Sequence, residues 1–326
     1  MHQNNLSALK VPMILVKLMG GMGNQMFQYA MARTLSHRHN CRLFIDKSLC
    51  AEAERLTSSG LSLRPFGLDV FNIQGQIVND EACHRTLKIR KENRLRRSAA
   101  LMFCRVANNF SNCWRVLIYE RKDVAFDKSL LRLPDNVVLQ GYFPSYKYFR
   151  GIEDVIRRDF AFTVEPDEQN QKMIELISSS NSISVHLRRG DYISNEKTRG
   201  KFGVCNLTYY EKAIDYFIKT VEEPRIFIFT NDPDYAEDNL KINYPSIYVT
   251  HNSGRKSFED MRLMSLCRHN IIANSSFSWW GAWINKNPDK IVIAPSPAFD
   301  KVGLNDHDFY PESWLLLPKY GRVNYE

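Results

Sequence analysis

Apolar and polar positions follow two periods in the second half of the chain. Five short apolar runs predict strands, at residues 182–188, 225–230, 246–250, 270–273 and 290–294. Segments with helical apolar spacing predict helices, at residues 166–179, 208–220, 234–241, 257–268 and 277–286. Strands that alternate with helices of these lengths build a parallel sheet with helices on both faces. The pattern therefore predicts an α/β, Rossmann-like domain over residues 161–326.

The first half of the chain begins with the same kind of pattern. It predicts, in order, a strand at 13–19, a glycine-rich turn at 20–25, a helix at 26–36, a strand at 41–46 and a later strand at 137–143. Strand, glycine turn, helix and strand are half of a Rossmann-like unit. We therefore expect a second α/β domain over residues 1–160, with the boundary between 155 and 170.

A basic stretch interrupts this pattern. Residues 85–97 contain seven lysines and arginines, and an apolar stretch with Leu101, Met102 and Phe103 follows. Such a stretch beside apolar residues could contact an anionic membrane surface. We favour the commoner explanation, a solvated helix face on the outside of the N-terminal domain.

Composition limits the class of protein. The chain has 326 residues, of which 44% are apolar and 25% charged, which suits two folded domains and excludes global disorder. The net charge of +8 permits a nucleotide, a nucleic acid or a membrane as partner, but does not choose among them. Seven cysteines without a Cys-x-x-Cys pair indicate free thiols in a reducing compartment. Because the sequence has neither a signal-peptide pattern nor a long apolar run, we expect a cytoplasmic protein.

Candidate chemistry lies where the predicted strands end. In a doubly wound sheet, ligands bind beyond the carboxyl ends of the strands. The predicted strand at 182–188 ends in Arg188 and is followed directly by Arg189, Gly190 and Asp191. Each guanidinium can hold a phosphate through paired N–H donors, and the glycine permits a sharp turn. We interpret this segment as an anion site rather than a strand end with solvated charges.

Two further strand ends are also polar. Residues 229–232 read Phe-Thr-Asn-Asp, and residues 274–280 read Asn-Ser-Ser-Phe-Ser-Trp-Trp at the start of a predicted helix. Ser275 and Ser276 could hydrogen-bond a phosphate with the support of the helix dipole, or simply cap the helix. Asp260, at the start of the preceding helix, could accept from a base amine or complement that helix's dipole.

The glycine turn of the first half is a weaker candidate. Gly21 and Gly23 are not followed by the third glycine of the dinucleotide fingerprint. Gly23 could allow close backbone approach while Asn24 and Gln25 donate amide hydrogens at a helix N-terminus. The alternative is a tight turn in which Asn24 caps the helix, and these residues alone do not decide between the two.

One pattern matches a metal site. Asp232-Pro233-Asp234 has the spelling of an Asp-x-Asp site. An aspartate cap, a proline at the first helical position and an aspartate in the first turn also open an ordinary helix, which we favour. Arg188 and Arg189 already supply the positive charge that a metal would bring. We therefore expect no metal.

Three long motifs occur in order along the chain. Residues 20–30 read GGMGNQMFQYA, residues 186–192 read HLRRGDY, and residues 274–283 read NSSFSWWGAW. Together they closely resemble the bacterial α-1,2-fucosyltransferases, glycosyltransferase family 11. The resemblance runs from about residue 13 to residue 295.

The resemblance implies a fold and a reaction. The fold would be two facing Rossmann-like domains of the GT-B type, with the acceptor on the N-terminal domain and GDP-L-fucose on the C-terminal domain. The reaction would be inverting transfer of fucose to the 2-hydroxyl of a terminal β-galactoside, without a metal, in the synthesis of a surface polysaccharide such as O-antigen. Where the family often has Gln and Glu after its Gly-Tyr-Phe, this chain has Pro144 and Tyr146, which leaves the exact acceptor open.

The resemblance also implies roles for individual residues. Arg188 would stabilise the charge that grows on the leaving GDP, and Arg189 would assist or brace the turn. His186 and Asp260 would contact guanine. The serines and the glycine turn would contact phosphate or fucose, which completes the donor-binding set with Gly23, Asn24, Gln25, Asn274, Ser275 and Ser276.

Asp191 is the candidate catalytic base. One-step inversion needs a group that takes the proton of the acceptor hydroxyl, and this carboxylate is the nearest to the two arginines. A cation within about 4 to 6 Å lowers a carboxylate pKa by roughly 1 to 3 units and makes it a weak base. We therefore expect Asp191 to orient an arginine or the acceptor hydroxyl first, and to act as a base second.

Two other functions compete with this interpretation. One is transfer from a different GDP-sugar, or with a different linkage. The other is nucleic-acid binding, which rests on the net charge of +8 and the basic stretch but gives the strand-end motifs no role. The basic stretch at 85–97 also leaves peripheral association with the inner membrane face as an alternative to a purely cytoplasmic location.

Overall fold

The computed structural model describes residues 12–50, 64–78, 89–90 and 115–320, without the side chains of Ile89, Arg90, Arg115, Val116, Asp191, Ser194 and Lys197. The chain divides into two compact units, the first ending at Ala161 and the second beginning at Phe162. Each unit contains its own six-stranded parallel sheet, so the predicted α/β class is confirmed for both halves.

The sheet of unit 1 surrounds a buried central strand. Its strands are β1 (Met13–Lys17), β2 (Arg42–Asp46), β3 (Gln76–Val78), β4 (Ile89–Arg90), β5 (Arg115–Tyr119) and β6 (Val137–Gln140), in the order β3-β2-β1-β6-β5-β4. All five residues of β1 are buried, as expected for a parallel strand covered on both faces. Its described α-helices are α1 (Met22–His39) and α2 (Glu153–Asp159).

The sheet of unit 2 is also parallel and six-stranded, but its strands follow a different order. Its strands are β7 (Asn181–Leu187), β8 (Pro224–Thr230), β9 (Ser246–Val249), β10 (His269–Ile271), β11 (Val292–Ser296) and β12 (Leu315–Pro318), in the order β12-β11-β10-β7-β8-β9. Its described α-helices are α3 (Glu168–Ser178), α4 (Gly190–Ser194), α5 (Glu196–Phe202), α6 (Leu207–Thr220), α7 (Pro233–Asn239), α8 (Ser257–Leu266) and α9 (Ser276–Ile284).

Chain order reverses in the sheet of unit 2, between β7 and β10. The connection that leaves β7 leads to β8 and the one that leaves β10 leads to β11, on the opposite side, which opens a crevice at the carboxyl edge of the sheet. In unit 1, β1 and β6 are neighbours at the centre of the sheet, but β6 is the last strand of that sheet, so its described strands have no such reversal there. The fold therefore favours a ligand at the β7–β10 position of unit 2.

The core of unit 2 holds α9 in place through its tryptophans. Trp279 and Trp280 are fully buried, with ring centres 5.0 Å apart in an edge-to-face arrangement. The indole N–H of Trp279 donates to the carbonyl oxygen of Phe309 at 2.9 Å. Because these rings are packed in the interior, they fix the first turn of α9 at the sheet edge.

Several predicted elements need correction. α1 begins at Met22, so the segment predicted as a separate glycine-rich turn already contains the first turn of the helix. Ile89–Arg90 is a strand paired with β5, not a helix face, and the rest of the basic stretch lies outside the described residues. The pattern also missed α4, α5 and the edge strand β12.

Two expectations about the chain as a whole can be compared with the described part. Cys41, Cys50, Cys205 and Cys267 are free thiols, as predicted. In the segments that the structure describes, no helix combines the length and apolar character needed to cross a membrane.

Candidate functional site

Three polar strand ends of unit 2 lie along one edge of its sheet. β7 is flanked by β8 and β10, and Leu187 is paired with Thr230 at the ends of the first two strands. Residues 188–191, 231–232 and 274–276 directly follow the three strands or their short extensions. The predicted clustering of these motifs at the carboxyl edge follows from the parallel arrangement.

Arg189 connects the turn after β7 with the loop after β8. Its backbone N–H donates to Asn231 Oδ1 at 3.0 Å, and its Nε donates to Asp232 Oδ2 at 3.2 Å. The guanidinium carbon lies 3.2 Å from the centre of the Tyr235 ring. A side chain at Gly190 would place its Cβ 2.0 Å from Asn231 Nδ2, so any larger residue would have to displace the Asn231 side chain from its contact with Arg189. These contacts favour bracing of the turn as the role of Arg189.

Arg188 is the second arginine of the pair, and its surroundings connect β7 with β10. Its guanidinium carbon lies 5.6 Å from the centre of the Tyr192 ring. The hydroxyl of Tyr192 donates to the carbonyl oxygen of Asn274 at 3.2 Å, and its ring stacks on Phe202 at 5.4 Å. The aromatic rings thus form a platform beside Arg188 at the reversal of chain order, where a ligand is expected.

Asp191 follows within α4, the short helix that begins at Gly190. Its backbone position is described, whereas its side chain lies outside the described part of the structure. The role of this carboxylate as an orienting group or base therefore stays a prediction.

The two serines at the start of α9 differ in their contacts. Ser275 is buried, and its hydroxyl oxygen accepts from the backbone N–H of Phe277 at 3.3 Å, which is ordinary N-capping. Ser276 is the first residue of the helix and is half-buried. The first turn of α9 contains no acidic side chain, so its dipole would favour an anion there.

The side chain of Asn274 connects loops around the site. Its side-chain nitrogen donates to the backbone carbonyls of Phe202, Gly203 and Ala298 at 2.6, 3.3 and 3.3 Å. Its side-chain oxygen accepts from the thiol of Cys205 at 3.6 Å. Since both ends of the amide are engaged, Asn274 holds these loops together, and its predicted contact with the donor stays a prediction.

His186 is the buried side chain next to the arginines. Its ring centre lies 5.8 Å from that of Phe277, and within the described structure its Nδ1 has no hydrogen-bond partner. Burial, together with the positive charge of Arg188, lowers the pKa of His186 to about 3. The imidazole is therefore neutral at physiological pH and can offer one donor and one acceptor.

Asp260 lies in the first turn of α8 and is 9% exposed. Burial raises the pKa of its carboxyl to about 7, and a hydrogen bond from Asn252 Nδ2 at 2.9 Å opposes that rise. A buried carboxyl with this pKa is typical of a ligand-binding group, whereas an exposed helix-dipole partner would stay fully ionised.

The Asp-x-Asp pattern is a helix start, as we favoured. Asp232 precedes α7, whose first residue is Pro233, and Asp234 lies in the first turn. The carboxylate of Asp232 is paired with Arg189. Over the parts of the chain that the structure describes, no group of three or more His, Cys, Asp or Glu residues could hold a metal ion.

The glycine segment of unit 1 surrounds the start of α1. Gly20 has a φ of 77°, a conformation that favours glycine, and Gly21 is the N-cap. Gly23, Asn24 and Gln25 therefore lie inside the first turns of the helix, so Asn24 does not cap it. A Cβ on Gly20 would lie 2.8 Å from Asn24 Nδ2, which places the Asn24 amide against the Gly20 backbone.

Gln25 is buried and has a structural role, and its predicted contact with the donor stays a prediction. Its Nε2 donates to the carbonyl oxygens of Gly20 at 2.8 Å and Pro65 at 2.9 Å, and its Oε1 accepts from the backbone N–H of Gly67 at 3.0 Å. This amide therefore joins residues 65–67 to the loop after β1. Gln28 acts similarly on Met19 through both of its amide groups.

Glu120 is a functional candidate that the sequence pattern did not reveal. Its carboxylate accepts from the backbone N–H groups of Tyr142 and Phe143, both at 2.7 Å, and so holds the loop after β6. A Cβ on Gly20 would lie 3.3 Å from the Tyr142 ring, so this ring is next to the start of α1. The apolar run at 116–119 that ends in Glu120 was the available signal.

The family of the chain follows from comparison with known sequences. A family model described as glycosyl transferase family 11 matches residues 80–317, and the three motifs of that resemblance lie at the edges described above. The chain belongs to glycosyl transferase family 11. The predicted enzyme class, a glycosyltransferase, is thereby confirmed.

Two relatives match nearly the whole chain, and a third matches about half of it. O-antigen biosynthesis glycosyltransferase WbnK of Escherichia coli is 35% identical over 92% of this chain and 99% of its own. An alpha-1,2-colitosyltransferase of Escherichia coli is 30% identical over 94% of this chain and 99% of its own. Galactoside alpha-(1,2)-fucosyltransferase 1 of Saimiri boliviensis boliviensis is 25% identical over 54% of this chain and 51% of its own.

A solved structure shares the fold of this family 11 glycosyltransferase. It is a mutant of Arabidopsis thaliana FUT1 in complex with GDP, with a TM-score of 0.51 and 11% identity, covering 89% of this chain and 72% of that one. At this identity the likeness concerns the fold, and it agrees with the predicted GT-B class.

Proposed function

We propose that the protein transfers L-fucose from GDP-β-L-fucose to the 2-hydroxyl of a terminal β-galactoside, with inversion at the anomeric carbon, in O-antigen synthesis. The single observation that carries the proposal is the placement of Arg188 and the start of α9 after the two strands that flank the chain reversal of unit 2, in a chain of family 11. A galactoside α-(1,2)-fucosyltransferase and an O-antigen glycosyltransferase among the relatives support the linkage and the pathway class.

Arg188 is the catalytic residue of this proposal. When the fucose–phosphate bond breaks, its electron pair goes to the β-phosphate oxygen, and negative charge grows on the leaving GDP. A guanidinium and the positive end of a helix stabilise that charge more in the transition state than in the ground state. Ser276, with Ser275 as cap of the same helix, would hold the diphosphate from the other side.

No metal is needed in this mechanism. Arg188 and the N-terminus of α9 would neutralise the diphosphate, which is the task a divalent cation performs in other nucleotide-sugar transferases. We expect the initial rate in EDTA to equal the rate in Mg²⁺. A rate that falls in EDTA and returns with Mg²⁺ would contradict this part of the proposal.

His186 and Asp260, the two site side chains with shifted pKa values, would recognise guanine. Neutral His186 can accept or donate one hydrogen bond, and the carboxylate of Asp260 can accept from the N1–H and 2-amino group of guanine. Asp191 would orient the acceptor hydroxyl or receive its proton. The glycine segment with Asn24 and the ring of Tyr142 would contact sugar hydroxyls and faces.

A second donor deserves a direct test, since a relative at 30% identity over 94% of the chain is a colitosyltransferase. Colitose is L-fucose without its 3-hydroxyl, so the two donors differ by one polar group. A site that hydrogen-bonds this hydroxyl rejects the deoxy sugar strongly, whereas an apolar site rejects the hydroxylated sugar only weakly.

The experiment is a donor panel followed by an acceptor panel. Thermal shift with GDP, UDP, GDP-fucose, GDP-colitose and GDP-mannose reports which nucleotide and sugar bind the folded protein. Turnover with terminal β-galactosides and linkage analysis of the product then reports the reaction. Stabilisation by GDP-fucose with an α-1,2-linked product is expected, and no stabilisation by any GDP compound would refute the proposal.

Location at the inner membrane face is a separate part of the proposal. Its support is the run of basic residues at 85–97, of which the structure describes the backbone of Ile89–Arg90 alone. Co-sedimentation with vesicles that contain 30% anionic lipid should be lost when these basic residues are neutralised. Equal sedimentation of both proteins would leave the enzyme without a membrane role for this stretch.

A further inference from the structure

The side-chain amides of Asn170 and Asn252 hydrogen-bond each other, and Asn252 also donates to Asp260. Oδ1 of Asp260 accepts from Asn252 Nδ2 at 2.9 Å. The same nitrogen donates to Oδ1 of Asn170 at 2.9 Å, and Nδ2 of Asn170 returns a hydrogen bond to Oδ1 of Asn252 at 3.0 Å. Both donors of the Asn252 amide are therefore used, and one of them points at the carboxylate.

The other partners of Asn170 fix which groups donate and which accept in these hydrogen bonds. Asn170 Nδ2 also donates to Asp167 Oδ1 at 2.8 Å, and Asn170 Oδ1 also accepts from His251 Nε2 at 3.0 Å. The other carboxylate oxygen of Asp167 is paired with Lys256 at 2.8 Å. Because an ionised carboxylate only accepts, the amide of Asn170 cannot be reversed, and the amide of Asn252 that pairs with it cannot be reversed either.

The direction of these hydrogen bonds affects Asp260 because Asn170 and Asp260 are both buried. Asn170 is fully buried and Asp260 is 9% exposed, so neither side chain can exchange its partners freely for water. Burial raises the pKa of Asp260, and the N–H of Asn252 lowers it by stabilising the ionised form. Without that donor, the carboxyl would be protonated over more of the physiological pH range.

The other titratable groups around Asp260 lie on a few elements. They are Glu259 and Arg262 on α8, Asp167 and Lys256 at the starts of α3 and α8, and His251 after β9. α3, which packs on α8, also carries Glu168, Lys172 and Glu175, all of them exposed. Glu259 raises the pKa of Asp260, and it is itself paired with Arg262 at 2.9 Å. α9, which packs on α8, carries no charged residue. Burial and Asn252 are therefore the main influences on this carboxyl.

We propose that Asn252, oriented by Asn170, is a positioning residue that keeps Asp260 an acceptor for guanine and thereby sets the base specificity of the donor site. The inference rests on the proposed function, in which Asp260 contacts the base. Guanine presents two adjacent donors, N1–H and the 2-amino group, and an ionised carboxylate matches both. A protonated carboxyl would oppose one of them with a donor of its own.

The test is calorimetric titration of the full chain with GDP and with inosine diphosphate, which lacks only the 2-amino group. Because the diphosphates are identical, the ratio of the two affinities cancels phosphate ionisation. For the wild type we expect GDP to bind more tightly, and the GDP-to-inosine-diphosphate affinity ratio to rise with pH through a midpoint near 7, where Asp260 is half ionised. Asn252→Asp removes the donor and adds a negative charge, so the ratio at pH 7 should fall about tenfold and the midpoint should move to higher pH.

Two further variants make the test specific. Asn287→Asp is the matched control, because the same chemical change falls on a half-buried amide that donates to the carbonyl oxygen of Arg268 at 3.0 Å through a solvent-exposed hydrogen bond. Its ratio and midpoint should equal those of the wild type. Asn170→Ser removes the amide pair without adding charge and should give a smaller shift in the same direction. If Asn252→Asp does not fold, this variant carries the test.

Each outcome decides something. A folded Asn252→Asp protein with lower thermal stability but an unchanged ratio and midpoint would overturn the inference and leave Asn252 a structural residue. Equal wild-type affinities for the two purine nucleotides would also overturn it, while leaving GDP-fucose transfer intact. A wild type that binds GDP no better than UDP would instead remove the proposed function on which the inference rests.

Discussion

The two units each contain a six-stranded parallel sheet but differ in strand order and in the chemistry at the centre of the sheet. At the chain reversal between β7 and β10, unit 2 presents Arg188 and buried His186 beside the start of a helix. After the central strands β1 and β6, unit 1 presents the backbone of Gly20, the amide of Asn24 and the ring of Tyr142. One position is cationic, and the other offers amides, backbone and an aromatic face. The side chains at each sheet edge therefore select its ligand, on sheets of the same class.

This difference suits two substrates of different charge. A nucleoside diphosphate needs cations and a helix N-terminus, whereas a neutral galactoside needs hydrogen-bonding amides and aromatic faces. We therefore assign the donor to unit 2 and the acceptor to unit 1, as a proposal that mutation of each edge can break.

Removal of Arg188 should have the largest effect. Arg188→Ala should lower kcat by about a thousandfold, because it removes the charge that opposes the developing GDP anion, while the KM for acceptor changes little. Steady-state kinetics with GDP-fucose measures both. Arg268→Ala, an equal truncation of an exposed arginine of unit 2, is the control. A loss below tenfold would place the cationic site elsewhere.

Asp191 comes next in expected effect. Asp191→Asn keeps the shape of the side chain but cannot take a proton, so kcat at saturating donor and acceptor should fall about a hundredfold. Near-normal turnover would remove both the orienting role and the base role. A fall in kcat with an unchanged KM for GDP-fucose would sharpen the comparison, because it would separate the chemistry of this edge from its nucleotide binding.

A substitution of Gln25 tests the part of the comparison that concerns unit 1. Gln25→Leu leaves up to three backbone groups of unit 1 without their buried partner, at a cost of about 1 to 3 kcal/mol for each one that stays dry. Urea unfolding should show this loss, whereas GDP affinity should stay within about twofold. Gln74→Leu, at an exposed amide, is the control. Weaker GDP binding at normal stability would return Gln25 to the donor site.

The smallest effect concerns the pH response of His186. Its pKa is lowered to about 3, so the folded protein keeps this ring neutral between pH 5 and 8. The unfolded chain binds the proton below about pH 6.5, whereas the folded chain does not, so the contribution of His186 to the unfolding free energy falls as the pH falls below about 6.5. Imidazole NMR signals of His186 should not titrate above pH 5. A midpoint near 6 would mean a hydrated, accessible ring.

Periodicity was sufficient for most of the fold. The predicted strands at 182–188 and 225–230 agree with β7 and β8 to within one residue at each end, because parallel strands buried on both faces consist of unbroken apolar runs. Segments without such an apolar run were missed. α4 and α5 are short and carry few apolar residues, and β12 is an edge strand with exposed leucines. Their formation depends on partners distant in sequence, such as β11 for β12.

Individual site residues were harder to predict than the site's location. Arg188 and Arg189 look alike in the sequence, yet Arg189 is held by Asn231, Asp232 and Tyr235. Gln25 and Asn274 belong to the family motifs, and both have amides engaged by the backbone of distant loops. Membership of a motif does not distinguish a residue that contacts a ligand from one that holds the loop in place.

The sequence alone determined the α/β class, the location of the polar strand ends and the family, because each is written in local residue order. Tertiary structure decided which side chains remain for a ligand. The pKa of Asp260, the orientation of Asn252 and the bracing role of Arg189 depend on burial and on partners up to 89 residues apart, such as the Asp167–Lys256 pair. Burial and hydrogen-bond direction arise only when those distant segments come together, and no local pattern encodes them.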